Sequence, residues 1–273
     1  MYAHKNAAQA LIHSQNNLNS HVYKKFTTGY RFYHRPQFNK VGIKISGGAD
    51  SAMRDSGIRE INMNTEDIWI DNGTLHVEPS SRCTLRCPQC PRTDHIDNIG
   101  LEDCDIESTV KLAKGKWSFF MCGNHGDPIY HPKFHELISS VRASYPDIKI
   151  GMHTNGAFRS IDWWKKTANI LDYRDNIIFS IDGLPTNNHL YRVNSRWETI
   201  ENGIRTLVEC NPDIKIIWKW ILFKYNQHDI DEGMELARKL GFHGFKIVKS
   251  VRYEDYDPLT PTIDWQEIER LYG

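Results

Sequence analysis

The stretch Ser81-Arg82-Cys83-Thr84-Leu85-Arg86-Cys87-Pro88-Gln89-Cys90-Pro91-Arg92 decides how the chain is read. Half of the six cysteines fall within it, spaced C-x3-C-x2-C. A loop this tight can aim three thiolates at one centre. Three thiolates can hold three irons of a cubane [4Fe-4S] cluster. The fourth iron then lacks a protein ligand and is open to a substrate. Two other readings stand beside this one. One is a zinc site that takes a fourth ligand such as His95; the other is a chance crowding of cysteines.

The loop sits between a strand pattern and a series of strand–helix repeats. Upstream, residues 68–77 alternate apolar and polar side chains around Asn72-Gly73, a two-residue hairpin signal. The second arm, about 74–78, runs into the cysteine loop and reads as the first barrel strand. Residues 41–45 read as a further short strand. Downstream, strands are expected at 117–122, 148–153, 176–181, 215–223 and 244–248. Helices are expected at about 131–145, around Trp163-Trp164, and at 196–209, 229–240 and 263–271. The fourth of these carries apolar Ile230, Met234, Leu236, Ala237 and Leu240, and Gly241 ends it. Alternation of this kind argues βα units and a parallel sheet. Six repeats fall short of the eight of a closed barrel. The fold class is therefore α/β: a partial (β/α)6 TIM-type barrel at 67–273, preceded by a mostly irregular basic extension at 1–66. Polar loops rich in Gly, Asn and Asp follow strands two, three and four. They share the C-terminal edge with the cysteine loop, the edge that carries the ligand site in such sheets.

The run Cys83-Thr84-Leu85-Arg86-Cys87-Pro88-Gln89-Cys90-Pro91-Arg92, placed after a strand, resembles the radical S-adenosylmethionine enzymes. It looks most like the branch with molybdenum-cofactor and peptide-modifying members. The resemblance covers about 75–248. One departure is Gln89, where many members carry an aromatic residue. The resemblance implies that Cys83, Cys87 and Cys90 hold one [4Fe-4S] cluster, with S-adenosylmethionine on its open iron. The family's Gly-Gly-Glu-Pro motif, whose backbone receives the methionine amino group, is matched here by His125-Gly126-Asp127-Pro128. Ser180-Ile181-Asp182-Gly183 resembles the family's strand-four end, so Ser180 or Asp182 is expected on the ribose or the methionine carboxylate, joined by Asn155. Arg192 matches a position where many members place an arginine on that carboxylate, a task that suits a forked guanidinium. The implied reaction is reductive cleavage of S-adenosylmethionine to a 5′-deoxyadenosyl radical, followed by hydrogen abstraction from a peptide, a cofactor precursor or a nucleic acid. An external one-electron donor of flavodoxin or ferredoxin type is implied as a partner. Cys104 and Cys210 read as small buried residues, and Cys122 as a neighbour of the cofactor. With no cysteine after Cys210, one cluster is expected.

Composition narrows the rest. Hydrophobic content of 40% with 25% charged residues reads as globular. No run of 18 apolar residues marks a membrane span, and Met1-Tyr2-Ala3-His4-Lys5-Asn6 has no apolar signal core. Clustered cysteines suit a reducing compartment, so a cytoplasmic protein is expected. The formal net charge is zero, but seven basic residues precede the first acid, Asp50. Among them stand Tyr23, Phe26, Tyr30, Phe32 and Tyr33. Such an arm can bind single-stranded nucleic acid or pack its rings on the main domain. Ser46-Gly47-Gly48-Ala49-Asp50-Ser51 resembles the phosphate loop of the ATP pyrophosphatases, but residues 52–57 break the helix that should follow. A working ATP site is not expected. The alternative to an enzyme is a zinc or iron–sulfur module that binds nucleic acid.

Overall fold

The computed structural model describes residues 43–45 by their backbone, and residues 73–90, 92, 102–124, 126–250 and 258–272. The aromatic arm, the Ser46–Ser51 loop, His95 and His125 lie outside the described residues. Seven strands form one sheet in chain order: β1 Ile43–Ile45, β2 Thr74–Val77, β3 Ser118–Met121, β4 Lys149–Thr154, β5 Asn176–Ser180, β6 Lys215–Leu222 and β7 Gly244–Lys249. From β2 to β7 every neighbouring pair is parallel. A helix follows each of these six: α1 Ile106–Leu112, α2 Phe134–Ser144, α3 Ile161–Ile170, α4 Trp197–Cys210, α5 Ile230–Lys239 and α6 Trp265–Tyr272. The six βα units of a partial TIM-type barrel are thus present.

The sequence placed a hairpin arm at 68–71 beside β2. That arm lies outside the described residues. The antiparallel neighbour that β2 does have is β1, with Ile43 opposite Val77 and Ile45 opposite Leu75. One strand of the stretch expected to be a mostly irregular extension is therefore part of the sheet.

Period-two alternation divides the sheet into two faces. Phe119, Met121, Met152, Phe179, Trp218, Trp220, Phe245 and Ile247 belong to the core shared with the helices. The helices answer with stripes at i, i+3, i+4 and i+7: Phe134, Leu137, Ile138 and Val141 on α2, and Ile200, Gly203, Ile204 and Leu207 on α4. Each fully buried side chain of this size contributes about 1.5–3 kcal/mol. The ends are set locally. Asp105 and Ser160 cap α1 and α3 by accepting from the amides of Ser108 and Trp163. Gly241, at φ +83, turns the chain after α5. The opposite, inner face carries Phe120, Ile178 and Ile217 as an apolar floor. Polar residues alternate with it and lead up to the C-terminal edge.

Candidate functional site

The cysteine loop leaves the end of β2 and is tied down at its root. Ser81 N–H donates to Glu102 O at 2.9 Å and Cys104 N–H to Pro79 O at 2.9 Å. The Arg82 guanidinium meets Asp103 at 3.2 Å. Cys90 N–H donates to Cys87 O at 3.0 Å and closes the last turn. Arg92 holds the loop from inside: its buried guanidinium donates to Cys83 O at 2.7 Å and Leu85 O at 2.9 Å. A loop that winds around a centre leaves carbonyls without strand partners, and one fork-shaped donor satisfies two of them. Arg92 was not singled out in the sequence, although it closes the quoted cysteine run. Leu85 and Cys87 pack under the loop with Tyr191, Phe223 and Leu259.

The loop after β3 is pressed against this root. A Cβ on Gly126 would lie 2.1 Å from Ser80 O and 2.6 Å from the Ser81 carbonyl carbon, so only glycine fits there. Asp127 N–H donates to Arg82 O at 2.9 Å. The Asp127 carboxylate is buried and accepts from Asn155 N–H at 2.6 Å, Thr154 Oγ1 at 2.9 Å and Ile129 N–H at 3.2 Å. Asp127 therefore joins three loops: the cysteine loop by its amide, and the β3 and β4 loops by its side chain. Burial pushes its pKa up to about 6 against the pull of those donors. Pro128 opens the short 3-10 turn Pro128–Tyr130 behind it.

A small cavity opens where these loops meet. Cys83, Cys87 and Cys90 line it. Gly126, Asp127, Asn155, Ser180 and Arg192 line it too, with Arg92 and His153. Asn155 Nδ2 donates to Cys83 Sγ at 3.5 Å, and Arg192 Nη1 lies 3.9 Å from Cys87 Sγ.

Asp182 and Pro128 stand behind the wall instead of on it. Asp182 is fully buried, and both its carboxylate oxygens are engaged: Oδ2 with Arg192 Nε at 2.6 Å, Oδ1 with Ile221 N–H at 2.8 Å. Its carbonyl accepts from the Tyr225 hydroxyl and from Asn226 Nδ2. Asp182 thus holds Arg192 in place from behind the cavity wall. Burial works against the Arg192 charge, but the Asp182 carboxylate outweighs it and holds the guanidinium charged. Tyr225 and Asn226 acquire this role through contacts 43 and 44 residues away in sequence, and no local pattern marks Tyr225.

The remaining cysteines do not line the cavity. Cys104 is buried at the start of α1, its carbonyl 3.3 Å from His131 Nε2. Cys122 Sγ lies 3.6 Å from His76 Nδ1 beside the apolar floor. Cys210 is exposed, which corrects the expectation that it is buried. It ends α4 off the stripe of Gly203, Ile204 and Leu207 that faces the core.

The donor set suits an iron–sulfur cluster. Burial, then the Asp127 charge, pushes the Cys83 thiol up to about 12. Burial also raises Cys87, with Arg192 opposing. Among the described residues no group of three His, Cys, Asp or Glu converges as a single metal ion requires. Beyond the cysteines, the cavity offers an amide, a hydroxyl and a charged guanidinium, groups that pair with the carboxylate and hydroxyls of S-adenosylmethionine.

No protein-family model matches the chain. A stretch of 117 residues is 31% identical to a tungsten-containing aldehyde ferredoxin oxidoreductase cofactor-modifying protein of Pyrococcus furiosus. That stretch covers 41% of this chain and 31% of the relative. Among solved structures, Streptococcus suis SuiB bound to S-adenosylmethionine superposes with a TM-score of 0.56 at 18% identity, over 73% of this chain and 45% of SuiB. SuiB bound to its precursor peptide SuiA gives the same score. TYW1 with a lysine-pyruvate adduct gives 0.54 at 16% identity, over 79% of this chain and 77% of that one. The chain thus spans about a third of the curated relative and less than half of SuiB. These structural neighbours are radical S-adenosylmethionine enzymes, and the likeness to them is one of fold. No described helix is long and apolar enough to cross a membrane.

Proposed function

We propose that this chain is itself a radical S-adenosylmethionine enzyme with one [4Fe-4S] cluster. The observation that carries the reading is the convergence of Cys83, Cys87 and Cys90 with Asn155, Ser180 and Arg192 on one cavity at the sheet's C-terminal edge. Bound there, cluster and S-adenosylmethionine would supply a 5′-deoxyadenosyl radical able to take a hydrogen atom from a substrate.

The chain's own residues have distinct tasks. Cys83, Cys87 and Cys90 ligate three irons. Arg92 fixes the backbone between the first two ligands. Arg192, aimed by Asp182, takes the methionine carboxylate as a charge-assisted pair. Gly126 and Asp127 place the β3 loop so that its backbone receives the methionine amino group. Asn155 and Ser180 supply hydrogen bonds along the rest of the cofactor. The apolar floor of Phe120, Ile178 and Ile217 keeps water from the reacting centre.

An external electron donor of flavodoxin or ferredoxin type belongs to this reading. The relatives point to two substrate classes. SuiB bound to its precursor peptide supports a peptide, and the curated relative named for cofactor modification supports a cofactor precursor. The expected contribution of the basic arm to nucleic-acid binding lies outside the described residues.

The experiment is anaerobic reconstitution with iron and sulfide, followed by dithionite and S-adenosylmethionine. Formation of 5′-deoxyadenosine, lost in Cys87→Ala, is expected. Cluster-loaded protein that forms none would refute the reading, and tight zinc with no iron uptake would favour the non-enzymatic module.

A further inference from the structure

Among the described residues Arg92 is a buried cation with no carboxylate partner. It is 5% exposed and lines the cavity beside Cys83, Cys87 and Cys90. Both of its hydrogen bonds leave Nη2, for Cys83 O at 2.7 Å and Leu85 O at 2.9 Å. The other enclosed arginines differ: Arg192 pairs with Asp182 at 2.6 Å, and Arg142 with Asp175 at 2.6 Å. A buried charge is costly unless it is paired. Two carbonyls need N–H donors, which a neutral side chain also offers; they do not need a cation. The clamp on the loop therefore accounts for the fork of Arg92 and not for its charge.

Asn155 acts on the same ligand. Its Oδ1 accepts from Ala157 N–H at 2.8 Å, which fixes the orientation of the amide and sets Nδ2 toward Cys83 Sγ at 3.5 Å. Its backbone N–H is held by the Asp127 carboxylate at 2.6 Å. The donor to Cys83 is thus in place before anything binds. Burial and the Asp127 charge disfavour the Cys83 thiolate, while the Leu85 amide and the Arg92 charge favour it. Net charge, hydrogen bonds to the sulfurs and solvent exposure set the reduction potential of an iron–sulfur cluster. Three thiolates add negative charge to a bound cluster, and one electron from the external donor adds more. A cation and an N–H dipole beside one ligand sulfur therefore favour the reduced form over the oxidised one.

We infer that Arg92 and Asn155 are the electrostatic partners of the cluster at its Cys83 corner, and that together they raise its reduction potential toward the reach of the external donor. The inference rests on the cluster-bearing function proposed above and goes beyond the clamp: the clamp uses the fork of Arg92, the potential uses its charge.

The full chain is reconstituted anaerobically with iron and sulfide. Its potential is read by dye-mediated redox titration with electron paramagnetic resonance, in the absence of S-adenosylmethionine. Asn155→Ser keeps a side-chain oxygen for the turn at Ala157 and removes the donor to Cys83 without adding charge. It should shift the ratio of oxidised to reduced cluster about tenfold, a fall in potential of about 59 mV for one electron. Arg92→Gln should lower the potential at least as far. Arg92→Lys, which keeps the charge and loses the fork, should stay close to the parent. The parent chain provides a second measurement that does not depend on variants folding. With isotopically labelled nitrogen confined to asparagine side-chain amides, pulsed electron paramagnetic resonance of the reduced cluster should show one weakly coupled nitrogen.

A potential equal to the parent's in Asn155→Ser or in Arg92→Gln would overturn the inference. So would a fall in Arg92→Lys as large as in Arg92→Gln, or the absence of nitrogen coupling in the parent. Loss of iron from Arg92→Gln and Arg92→Lys alike would return Arg92 to the clamp and overturn its electrostatic role. A parent chain that takes up no cluster would overturn this inference and the proposed function together. A loaded chain with the expected shifts that forms no 5′-deoxyadenosine would refute the enzyme reading and leave this one standing, and 5′-deoxyadenosine formed at unshifted potentials would do the reverse.

Discussion

Removing the Asp182 carboxylate tests how the site is held together. Asp182→Ala strips Arg192 of a partner 2.6 Å from Nε, where the Arg192 side chain is 15% exposed and that of Asp182 is 0% exposed. It also orphans the Ile221 amide, which donates to Oδ1 at 2.8 Å. Breaking a buried pair by removing one partner costs about 3–5 kcal/mol. For a chain of this size each kcal/mol moves the melting midpoint by about 2–4 °C, so a fall of roughly 6–20 °C is expected. Replacing both partners, Asp182→Leu with Arg192→Met, leaves no buried charge and should recover much of the loss. Urea unfolding of the single and double variants reads the stability. Titration of cluster-loaded protein with S-adenosylmethionine reads the site. The double variant should regain stability without regaining affinity, because the guanidinium is still missing. If Asp182→Ala stays within about 1 kcal/mol of the parent, the pair behaves like a screened surface pair and the positioning role assigned to Asp182 is wrong. The sequence alone suggested that these two residues serve the cofactor more than the fold; their burial ties them to the fold as well.

Other outcomes follow from the same geometry. Gly126→Ala drives a methyl group into the Ser80–Ser81 backbone and should cost about 1–3 kcal/mol, with lower iron content after reconstitution; full iron at unchanged stability would show that the two loops separate freely. Cys83→Ala, Cys87→Ala and Cys90→Ala should each fail to retain iron and sulfide, since three protein ligands leave none to spare, and full iron in any one would remove that cysteine from the ligand set. Burial, then the Lys166 charge, lowers the His135 pKa to about 4 from 6.5. Its folded value lies below its unfolded one, so its contribution is fully present above pH 6.5 and is lost as pH falls toward about 4. Urea midpoints across that window should drop less in His135→Gln than in the parent, and equal slopes would show that His135 titrates as in the unfolded chain.

Much of the fold was legible because its signals are local. Trp218-Lys219-Trp220 and Phe245-Lys246-Ile247 announce strands by alternation, and the apolar run from Ile230 to Leu240 announces a helix that Gly241 stops. The C-x3-C-x2-C spacing is local too: three thiols within one short loop share a centre almost regardless of what surrounds them. Expected strand boundaries differ from observed ones by a residue or so, because the last residue of a strand is decided by its neighbour's register.

What the chain order alone determined was therefore the repeat of strands and helices, the cysteine loop, and the edge on which polar loops gather. Tertiary structure decided what each polar side chain does there. A carboxylate such as Asp182 reads in sequence as a ligand-binding group, but burial forces it to find donors, and the nearest are Arg192 and the Ile221 amide. Arg92 becomes the loop's internal clamp only once the loop has curled to present two carbonyls to it. Lys219 and Lys246 lie 27 residues apart in sequence and face each other only through the pairing of β6 with β7. Spacing along a chain specifies what lies on one element; register and packing, set by the whole sheet, specify what meets across elements.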